Sequence, residues 1–488
     1  MIKPDAKELY HKHIKDMNNS WCPIPWGQIS VHNSGEYRSC IQARSCKKTR
    51  GILRDKNGTV MRADTHSIND VRNSSLLKEV RKSMLEGKQH GMCIRCNRED
   101  ATDVPSRRRN AIRDYYVKYN YDIWKSMSST NNDGSIYEDH PVIEYDIRLG
   151  NLCNLKCRMC HPSESTQWYD EWFDTMFKGF KSDFTQVKMI KENNKVKLQD
   201  DIYSWYNNSN FYEQMFEKSN HLRKIYLSGG EPTLVENMYD LLQRFIDQGW
   251  AKDIELEYNI NLTNIPRRAI ELWHNFKQVT LGGSIDAVGE YNNYIRYPSK
   301  WNKVEENVKW LDANTNSNIN FFCTTTWQIL NATQILDLVK WQIENKFVKF
   351  NRMANSIFFS MHPLSSPTYL NVKALPKQLK EHVQHEFEKF DKEYFRPWID
   401  GLPNDFEFTN THYQAEWNGR QIWDGNKEDL YDLFKSKLDN MINFMWADDL
   451  SEHFPEFVKS MKTQDQYRNQ NFNELYPVIS TYIKKEIE

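Results

Sequence analysis

Three cysteines in one short segment are the residues of this chain whose type and spacing best fit catalytic chemistry. Cys153, Cys157 and Cys160 form a CxxxCxxC pattern. Three thiolates on one tight loop can hold three corners of a 4Fe–4S cube. Because such clusters normally take four cysteines, one iron would stay open to an exogenous ligand, and an open metal position is typical of a catalytic site. Zinc or idle thiols are the alternatives for this loop taken alone.

A second candidate element is the turn Gly229-Gly230-Glu231-Pro232, which directly follows a predicted strand. Paired glycines let the backbone pass close to a ligand. The Glu231 carboxylate can accept hydrogen bonds from an ammonium group. The turn is a weak signal alone, but it becomes a strong one at the end of a strand beside a three-cysteine loop.

Four more cysteines lie near the start of the chain, at Cys22, Cys40, Cys93 and Cys96. The chain has nine cysteines in all, an odd number, so complete internal disulfide pairing is impossible. Short-spaced cysteines in a chain with no export signal are more often metal ligands than structural bridges. The open alternatives here are a cluster and zinc. Cys46 is a further candidate ligand, whereas Cys323 lies in an apolar strand and is predicted to be a core thiol.

From about residue 142, strands alternate with amphipathic helices, which predicts parallel βαβ units. Six such units suggest an incomplete barrel, since a full barrel needs eight. The carboxyl ends of barrel strands carry active sites, and the cysteine loop follows the first strand. The predicted strands are Val142–Leu149, Lys224–Leu227, Ile254–Ile260, Gln278–Leu281, Ile319–Thr324 and Lys346–Phe350, and the helices between them include Asn237–Gln248, Pro266–Asn275, Trp301–Ala313 and Ala332–Glu344.

The flanking regions have other patterns. The first 140 residues are polar, with a predicted hairpin around Gly35 and a helix over Ser74–Glu86. A long aromatic connection (about 161–222) is predicted to be an insertion over the site, with Trp168–Tyr212 as a candidate lid. After about residue 375 the periodicity is helical. The predicted domains are 1–140, 141–375 and 376–488.

Composition excludes several classes. The 488 residues carry 65 Lys+Arg and 66 Asp+Glu, a net charge of −1, which argues against nucleic acid and anionic membranes as partners. With 39% hydrophobic residues, a mean hydropathy of −0.80 and no run of about 18 apolar residues, no transmembrane helix is predicted. The start shows no secretory signal, so a cytoplasmic protein is expected. The basic runs Lys47–Arg50 and Arg107–Arg109 are interpreted as solvated faces.

CNLKCRMC followed by SGGEPTL resembles the radical SAM superfamily, and the resemblance covers about residues 142–375. It implies that Cys153, Cys157 and Cys160 hold a 4Fe–4S cluster. It also implies that the glycine-glycine-glutamate-proline element binds the amino group of S-adenosylmethionine (SAM), through Gly229, Gly230 and Glu231.

Later motifs fit the same family. Asn261-Leu262-Thr263-Asn264 resembles its strand-end TN element, and Ser284-Ile285-Asp286 with Arg296 resembles members in which serine and arginine hold the SAM carboxylate. A guanidinium suits that carboxylate because its fork can bind both oxygens. The residue before the last cysteine is often aromatic in the family. Here it is Met159, whose thioether is expected to pack against the adenine ring.

The opening WCPIPW, the glycine hairpin and the ending CIRCNRED resemble the auxiliary-cluster domain called twitch, which is related to SPASM. In most such enzymes it follows the barrel, but in a subset it precedes it, as here. This resemblance implies an auxiliary 4Fe–4S cluster held by Cys22, Cys40, Cys93 and Cys96. The composition, rich in Asn, Lys and Tyr, resembles that of phage-encoded members of the family. This resemblance would place the protein in the host cytoplasm.

The resemblance implies an enzyme that reductively cleaves SAM to a 5′-deoxyadenosyl radical for hydrogen abstraction. The expected outcome is oxidation or crosslinking of a peptide or protein side chain, an oxidoreductase or maturase activity, with electrons from a flavodoxin or ferredoxin. One alternative is a dehydrogenase of a small polyol or aminosugar. Another, from a different class, is a zinc-stabilised or RNA-binding module. The sequence assigns no catalytic base.

Overall fold

The computed structural model describes residues 20–46, 49–101, 106–347, 349–350, 357–409 and 424–486. The start of the chain and Lys47–Lys48 of the first basic run lie outside them. The structure contains two compact units. The first comprises Met1–Asn154, Pro162–Tyr258 and Pro266–Val279, and the second Leu155–His161, Asn259–Ile265 and Thr280–Glu488. None of the helices in these described ranges has the length and apolar character needed to cross a membrane.

Parallel strand pairs dominate both units. In the first unit, β1, β3, β7 and the first part of β8 run parallel in the order β8–β7–β3–β1, and β2 adds an antiparallel edge to β1. In the second unit, β10 pairs in parallel with β11. The strands are β1 Gln28–Val31, β2 Tyr37–Arg38, β3 Glu144–Leu149, β4 Gly179–Lys181, β5 Gln186–Glu192, β6 Lys195–Leu198, β7 Lys224–Gly229, β8 Glu255–Ile260, β9 Gln278–Ser284, β10 Ile319–Trp327, β11 Ser360–Pro363, β12 Glu407–Thr409 and β13 Asp424–Asn426.

Helices connect these strands and make up most of the chain after β11. They are α1 Ile24–Gly27, α2 Ile68–Arg72, α3 Ser75–Leu85, α4 Ile94–Ala101, α5 Arg107–Arg113, α6 Ile123–Ser128, α7 Tyr169–Thr175, α8 Ser209–Glu217, α9 Glu236–Asp247, α10 Arg267–Trp273, α11 Gly289–Ile295, α12 Trp301–Asn314, α13 Ile335–Asn345, α14 Lys377–Phe390, α15 Arg396–Asp400, α16 Lys427–Trp446, α17 Phe454–Arg468, α18 Phe472–Leu475 and α19 Pro477–Glu486. The expected α/β fold with a parallel sheet and a helical C-terminal region is confirmed.

Five of the six predicted core strands form, as β3, β7, β8, β9 and β10. The sixth prediction, Lys346–Phe350, is wrong. Lys346 instead ends α13 in the left-handed conformation, with φ 52°. Phe347 and Phe350 then fold back on Trp341, with ring centroids 5.0 and 6.0 Å away. The aromatic residues of this segment therefore pack on a helix, and β11 supplies the strand beside β10.

The predicted N-terminal hairpin forms, with Ser30 opposite Arg38. Gly35 has φ +79°, and a Cβ there would lie 2.8 Å from the Trp205 ring, so the turn requires glycine. One feature was not predicted: β1 also pairs in parallel with β3, with Gln28 opposite Glu144. The N-terminal region therefore extends the parallel sheet.

The insertion has a fold of its own within the first unit. Strands β4, β5 and β6 form an antiparallel sheet, and alternate side chains are buried along β5 and β6. Their buried face forms a small core with the preceding helix α7, made of Phe180, Val187, Met189, Val196, Leu198 and Tyr203. The lid role of this segment stays a prediction.

Candidate active site and N-terminal cysteine site

The first part of the cysteine loop is tied to the glycine-glutamate turn by the main chain. Gly230 N donates to Gly150 O (3.1 Å) and Glu231 N donates to Leu152 O (2.7 Å). A Cβ on Gly230 would lie 2.2 Å from Leu152 O, so only glycine allows this approach. The segment that leads into Cys153 and the Gly-Gly-Glu-Pro turn are therefore joined by main-chain hydrogen bonds within the first unit.

Glu231 is buried and holds the turn that follows it. Its Oε1 accepts hydrogen bonds from the hydroxyl (2.7 Å) and the main-chain N–H (3.3 Å) of Thr233. These bonds fix the carboxylate at the carboxyl end of β7. Gly229 supports the same turn with φ +133°, a conformation that favours glycine.

The second part of the loop belongs to the second unit, where α11 positions it. Lys156 N donates to Tyr297 O (2.7 Å) and Arg158 N donates to Ile295 O (2.8 Å). Cys157 is buried and Cys160 is half-buried. A hydrogen bond from Cys160 lowers the pKa of the Cys157 thiol, and the Arg296 charge adds to this effect. Cys157 is thus a thiol biased toward the thiolate that binds metal.

Arg296 directly follows α11, and its charge interacts electrostatically with the thiols of Cys157 and Cys160. Burial alone would lower the pKa of its guanidinium, but Asp286, Cys157 and Cys160 raise it above its ordinary value. Its Nε lies 2.8 Å from Asp286 Oδ2. Burial raises the pKa of Asp286, and Arg296 opposes that rise. The predicted SAM-carboxylate partner thus sits in a buried ion pair, while Ser284 is the last residue of β9.

Three other polar side chains of this region, Asn261, Thr325 and Tyr258, make contacts within the fold. Asn261 Oδ1 accepts from Thr263 N (3.0 Å), which closes the turn after β8. Thr325 Oγ1 donates to Ile285 O (2.7 Å). Tyr258 is buried, with its hydroxyl 3.3 Å from a methionine sulfur. Met159 lies half-buried in the turn between the last two cysteines.

An interaction that no sequence pattern predicted holds the cysteine loop from far along the chain. The buried Arg158 side chain donates to Asp465 Oδ1 (2.5 Å) and Gln464 Oε1 (3.2 Å), both on α17. Its guanidinium also lies 3.5 Å from the ring centroid of Tyr294. The C-terminal helices therefore anchor the residue that lies between Cys157 and Cys160.

The four N-terminal cysteines lie around one cavity in the first unit. This cavity is lined by Cys22, Cys40, Cys93 and Cys96. Burial raises the pKa of all four thiols, that of Cys93 to about 12, and the mutual repulsion of neighbouring thiolates adds to the rise for Cys22 and Cys93. Such thiols lose their protons when a metal binds.

The spacing of these thiols bears on which metal they fit. Tetrahedral thiolates around one zinc ion lie about 3.8 Å apart, given Zn–S bonds of about 2.3 Å. Among the described residues, no three cysteine sulfurs lie within 4.8 Å of one another. The four thiols therefore do not have the spacing of a single zinc site in this structure, and the choice between zinc and a cluster stays a prediction.

The two remaining cysteines, Cys46 and Cys323, make contacts outside the two candidate sites. Cys46 Sγ accepts from the Thr49 hydroxyl (3.6 Å), and Cys323 is fully buried with its sulfur 3.6 Å from Ile285 O, as expected of a core thiol.

The interpretation of Arg107–Arg109 as a solvated face is wrong. Arg108 is buried against Asp100, and Arg107 lines the cysteine cavity, because buried carboxylates attract both.

Residues 147–340 match the family model described as Radical SAM superfamily. This part of the chain is therefore a radical SAM domain, the class of enzyme domain that carries a 4Fe–4S cluster and uses SAM. No curated protein matches the chain.

Several solved structures are similar over part of their length. Native anSMEcpe with bound AdoMet is 19% identical (TM-score 0.34), and the match covers 53% of this chain and 61% of that one. Streptococcus suis SuiB bound to S-adenosylmethionine is 14% identical (TM-score 0.29), covering 55% and 52%. TYW1 with a lysine-pyruvate adduct is 12% identical (TM-score 0.26), covering 52% and 72%. The chain spans about half to three fifths of the first two, and likeness at this level carries no argument about activity.

Proposed function

We propose that this protein is a radical SAM enzyme that oxidises or crosslinks a side chain of a peptide or protein with help from an auxiliary 4Fe–4S cluster. The observation that carries the proposal is the main-chain tie between the cysteine loop and the Gly-Gly-Glu-Pro turn. It fixes the segment that begins the three-thiol motif to the carboxylate expected to bind the SAM ammonium group.

The residues of the first candidate site have separate roles in binding the cluster and SAM. Cys153, Cys157 and Cys160 would hold the core cluster, and Glu231 would accept hydrogen bonds from the SAM ammonium. Arg296 would bind the SAM carboxylate, with Asp286 holding its guanidinium in place. When bound, the cluster and SAM supply a carbon radical that removes a hydrogen atom from the substrate.

Cys22, Cys40, Cys93 and Cys96 would hold the auxiliary cluster. Arg107 lines their cavity and also reaches the parallel sheet, with its Nη2 3.4 Å from Asp146 Oδ2. Its positive charge lowers the pKa of Cys40 against the larger effect of burial. This guanidinium therefore favours thiolate, and hence metal binding, at the second site.

A peptide or protein is the substrate class to test first, with a small polyol or aminosugar as the competing class. Among the similar solved structures, one of SuiB is bound to the precursor peptide SuiA. The reductant would be a flavodoxin or ferredoxin, because the reaction takes one electron at a time.

The test is metal and product analysis of anaerobically purified protein. Two four-iron clusters predict about eight irons and eight sulfides per chain. After reduction with dithionite in the presence of SAM, 5′-deoxyadenosine should accumulate. Zinc without sulfide, or iron without 5′-deoxyadenosine, would overturn the proposal.

A further inference from the structure

One face of the parallel sheet in the first unit is polar although it is mostly buried. Side chains alternate along a strand, so residues two apart share a face. The other face carries Ile29, Val31, Tyr145, Ile147, Ile225 and Leu227, an ordinary apolar face. The polar face consists of Gln28, Ser30 and His32 in and after β1, Glu144, Asp146 and Arg148 in β3, Lys224, Tyr226 and Ser228 in β7, and Glu255 and Glu257 in β8.

The charges near the amino ends of these strands are paired. Arg107 lies 3.5 Å from Glu144 Oε1 and 3.4 Å from Asp146 Oδ2. Lys224 Nζ lies 2.6 Å from Glu257 Oε2. Lys118 contacts Glu255. This end of the polar face is therefore electrostatically complete.

The carboxyl end of the same face differs, because it carries a half-buried arginine that forms no ion pair with the described residues. Arg148 lies opposite Ser228 in the register of β3 and β7. Arg148 is half-buried, and its Nε has no hydrogen-bond partner within the described part of the chain. Ser228 is buried, and a hydrogen bond from its side chain lowers the pKa of Tyr226 against the larger effect of burial. No described carboxylate lies within 4 Å of the Arg148 guanidinium.

The carboxylate of Glu36 does not pair with Arg148, because both of its oxygens already bind other side chains. Glu36 Oε1 accepts from Arg38 Nη2 (2.5 Å) and lies 3.2 Å from His32 Nδ1, while Oε2 accepts from Ser34 Oγ (2.7 Å). Against its burial, these partners lower the pKa of Glu36 to about 2. Glu36 therefore stays a fully engaged anion, and its carboxylate does not pair with Arg148.

We propose that Arg148 and Ser228 bind a carboxylate of the substrate. Arg148 is half-buried and has no carboxylate partner among the described residues, so a bound anion would interact with its charge more strongly than with that of a fully exposed arginine. A guanidinium fork matches the two oxygens of a carboxylate, and the serine hydroxyl adds a second donor. The inference rests on the proposed function for its peptide substrate, and it adds that the segment that enters the site is acidic.

The carboxylate has two sources, an acidic side chain or the C-terminus of a peptide. Three pentapeptide probes with acetylated N-termini separate them. Ala-Ala-Glu-Ala-Ala amide offers only the side chain, Ala-Ala-Gln-Ala-Ala with a free C-terminus offers only the terminal group, and Ala-Ala-Gln-Ala-Ala amide offers neither. Calorimetric titration of the cluster-loaded protein with SAM at low salt should show at least tenfold tighter binding for one of the first two probes than for the third.

Substitutions test whether Arg148 causes the tighter binding of the carboxylate-bearing probe. Arg148→Gln should remove the preference, and Ser228→Ala should reduce it several-fold without changing the fold. Arg244→Gln is the matched control, because Arg244 is a half-exposed arginine paired with Glu213 on helices outside the polar face. Equal binding of all three probes by the parent, or an unchanged preference in Arg148→Gln, would overturn the proposal.

SAM itself also carries a carboxylate, so its binding must be measured in the same variants. Arg148→Gln should leave SAM affinity and uncoupled 5′-deoxyadenosine formation within about twofold of the parent. A tenfold loss of SAM affinity would assign Arg148 to the cofactor and overturn the inference. If the parent discriminates between the probes but never cleaves SAM, the proposed reaction fails while the carboxylate site stands.

Discussion

The two cysteine sites differ in how their thiols are held. Around the N-terminal cavity, burial raises the pKa of every thiol, and four residues converge on one space. In the CxxxCxxC loop, a neighbouring thiol and a buried arginine lower the pKa of Cys157. The first arrangement suits a fully ligated, closed metal site. The second has a thiol biased toward the thiolate, as expected of the proposed three-cysteine site.

Removing a ligand from the open site gives the largest expected effect. Cys157→Ala should reduce 5′-deoxyadenosine formation at least a hundredfold, because the cluster loses one of its three thiolates. The measurement is product formed per chain under reducing conditions with SAM. Cys323→Ala, which removes a buried thiol outside both sites, should keep iron content and SAM cleavage. Equal activity of Cys157→Ala and the parent would abolish the distinction between the sites.

Removing a ligand from the closed site should give a smaller and different loss. Cys93→Ala should lower iron from about eight to about four per chain. SAM cleavage should persist, while substrate turnover is lost. The matched control is Cys46→Ala, which should retain all of the iron. If it loses as much iron as Cys93→Ala does, Cys46 belongs to the ligand set.

The third prediction concerns the support that the CxxxCxxC loop receives from the C-terminal helices. Asp465→Asn removes the charge that pairs with the buried Arg158 and should cost about 1–3 kcal/mol of unfolding free energy. In a Cys93→Ala background, the remaining iron should also be released faster to a chelator. Asp448→Asn breaks an exposed pair with Lys373 and should change stability by less than about 0.5 kcal/mol. Unchanged iron release in Asp465→Asn would show that the anchor does not support the loop.

The smallest predicted effect is a pH dependence near the N-terminal hairpin. Burial lowers the pKa of His32 to about 4. The unfolded chain then binds more protons than the folded one below about pH 6.5, so stability falls as the pH drops. Between pH 7 and pH 6 this histidine should account for about 0.7 kcal/mol, measured by urea unfolding. His32→Gln should remove that part of the slope, while the exposed His385→Gln should not. Identical slopes in the parent and in His32→Gln would contradict the assignment.

Local patterns predicted the elements that carry the chemistry. Hydrophobic periodicity located five core strands, and the order of cysteine loop and glycine-glutamate turn along the chain indicated that both follow strands. Residues 147–340 then proved to match the radical SAM superfamily. These features are readable because each depends on residues within one strand, one turn or one helix.

Features that depend on distant partners could not be predicted. Arg158 is one residue of a cysteine motif, and nothing in its spacing indicates a partner on α17, 307 positions later. The pairing of β1 with β3 joins segments more than a hundred residues apart. The apolar residues around Phe347 and Phe350 indicated a strand, but the two rings pack on Trp341 instead. In each case tertiary contacts outweighed the local signal.

The bond between Arg158 and Asp465 has a consequence for the order in which the protein can mature. The N-terminal thiols all come from residues 22–96, so they leave the ribosome early and can meet while synthesis continues. The loop around Cys157 reaches its final form only after residue 465 has been translated. A chain interrupted before α17 would therefore contain all four N-terminal thiols but a CxxxCxxC loop without the Arg158 anchor.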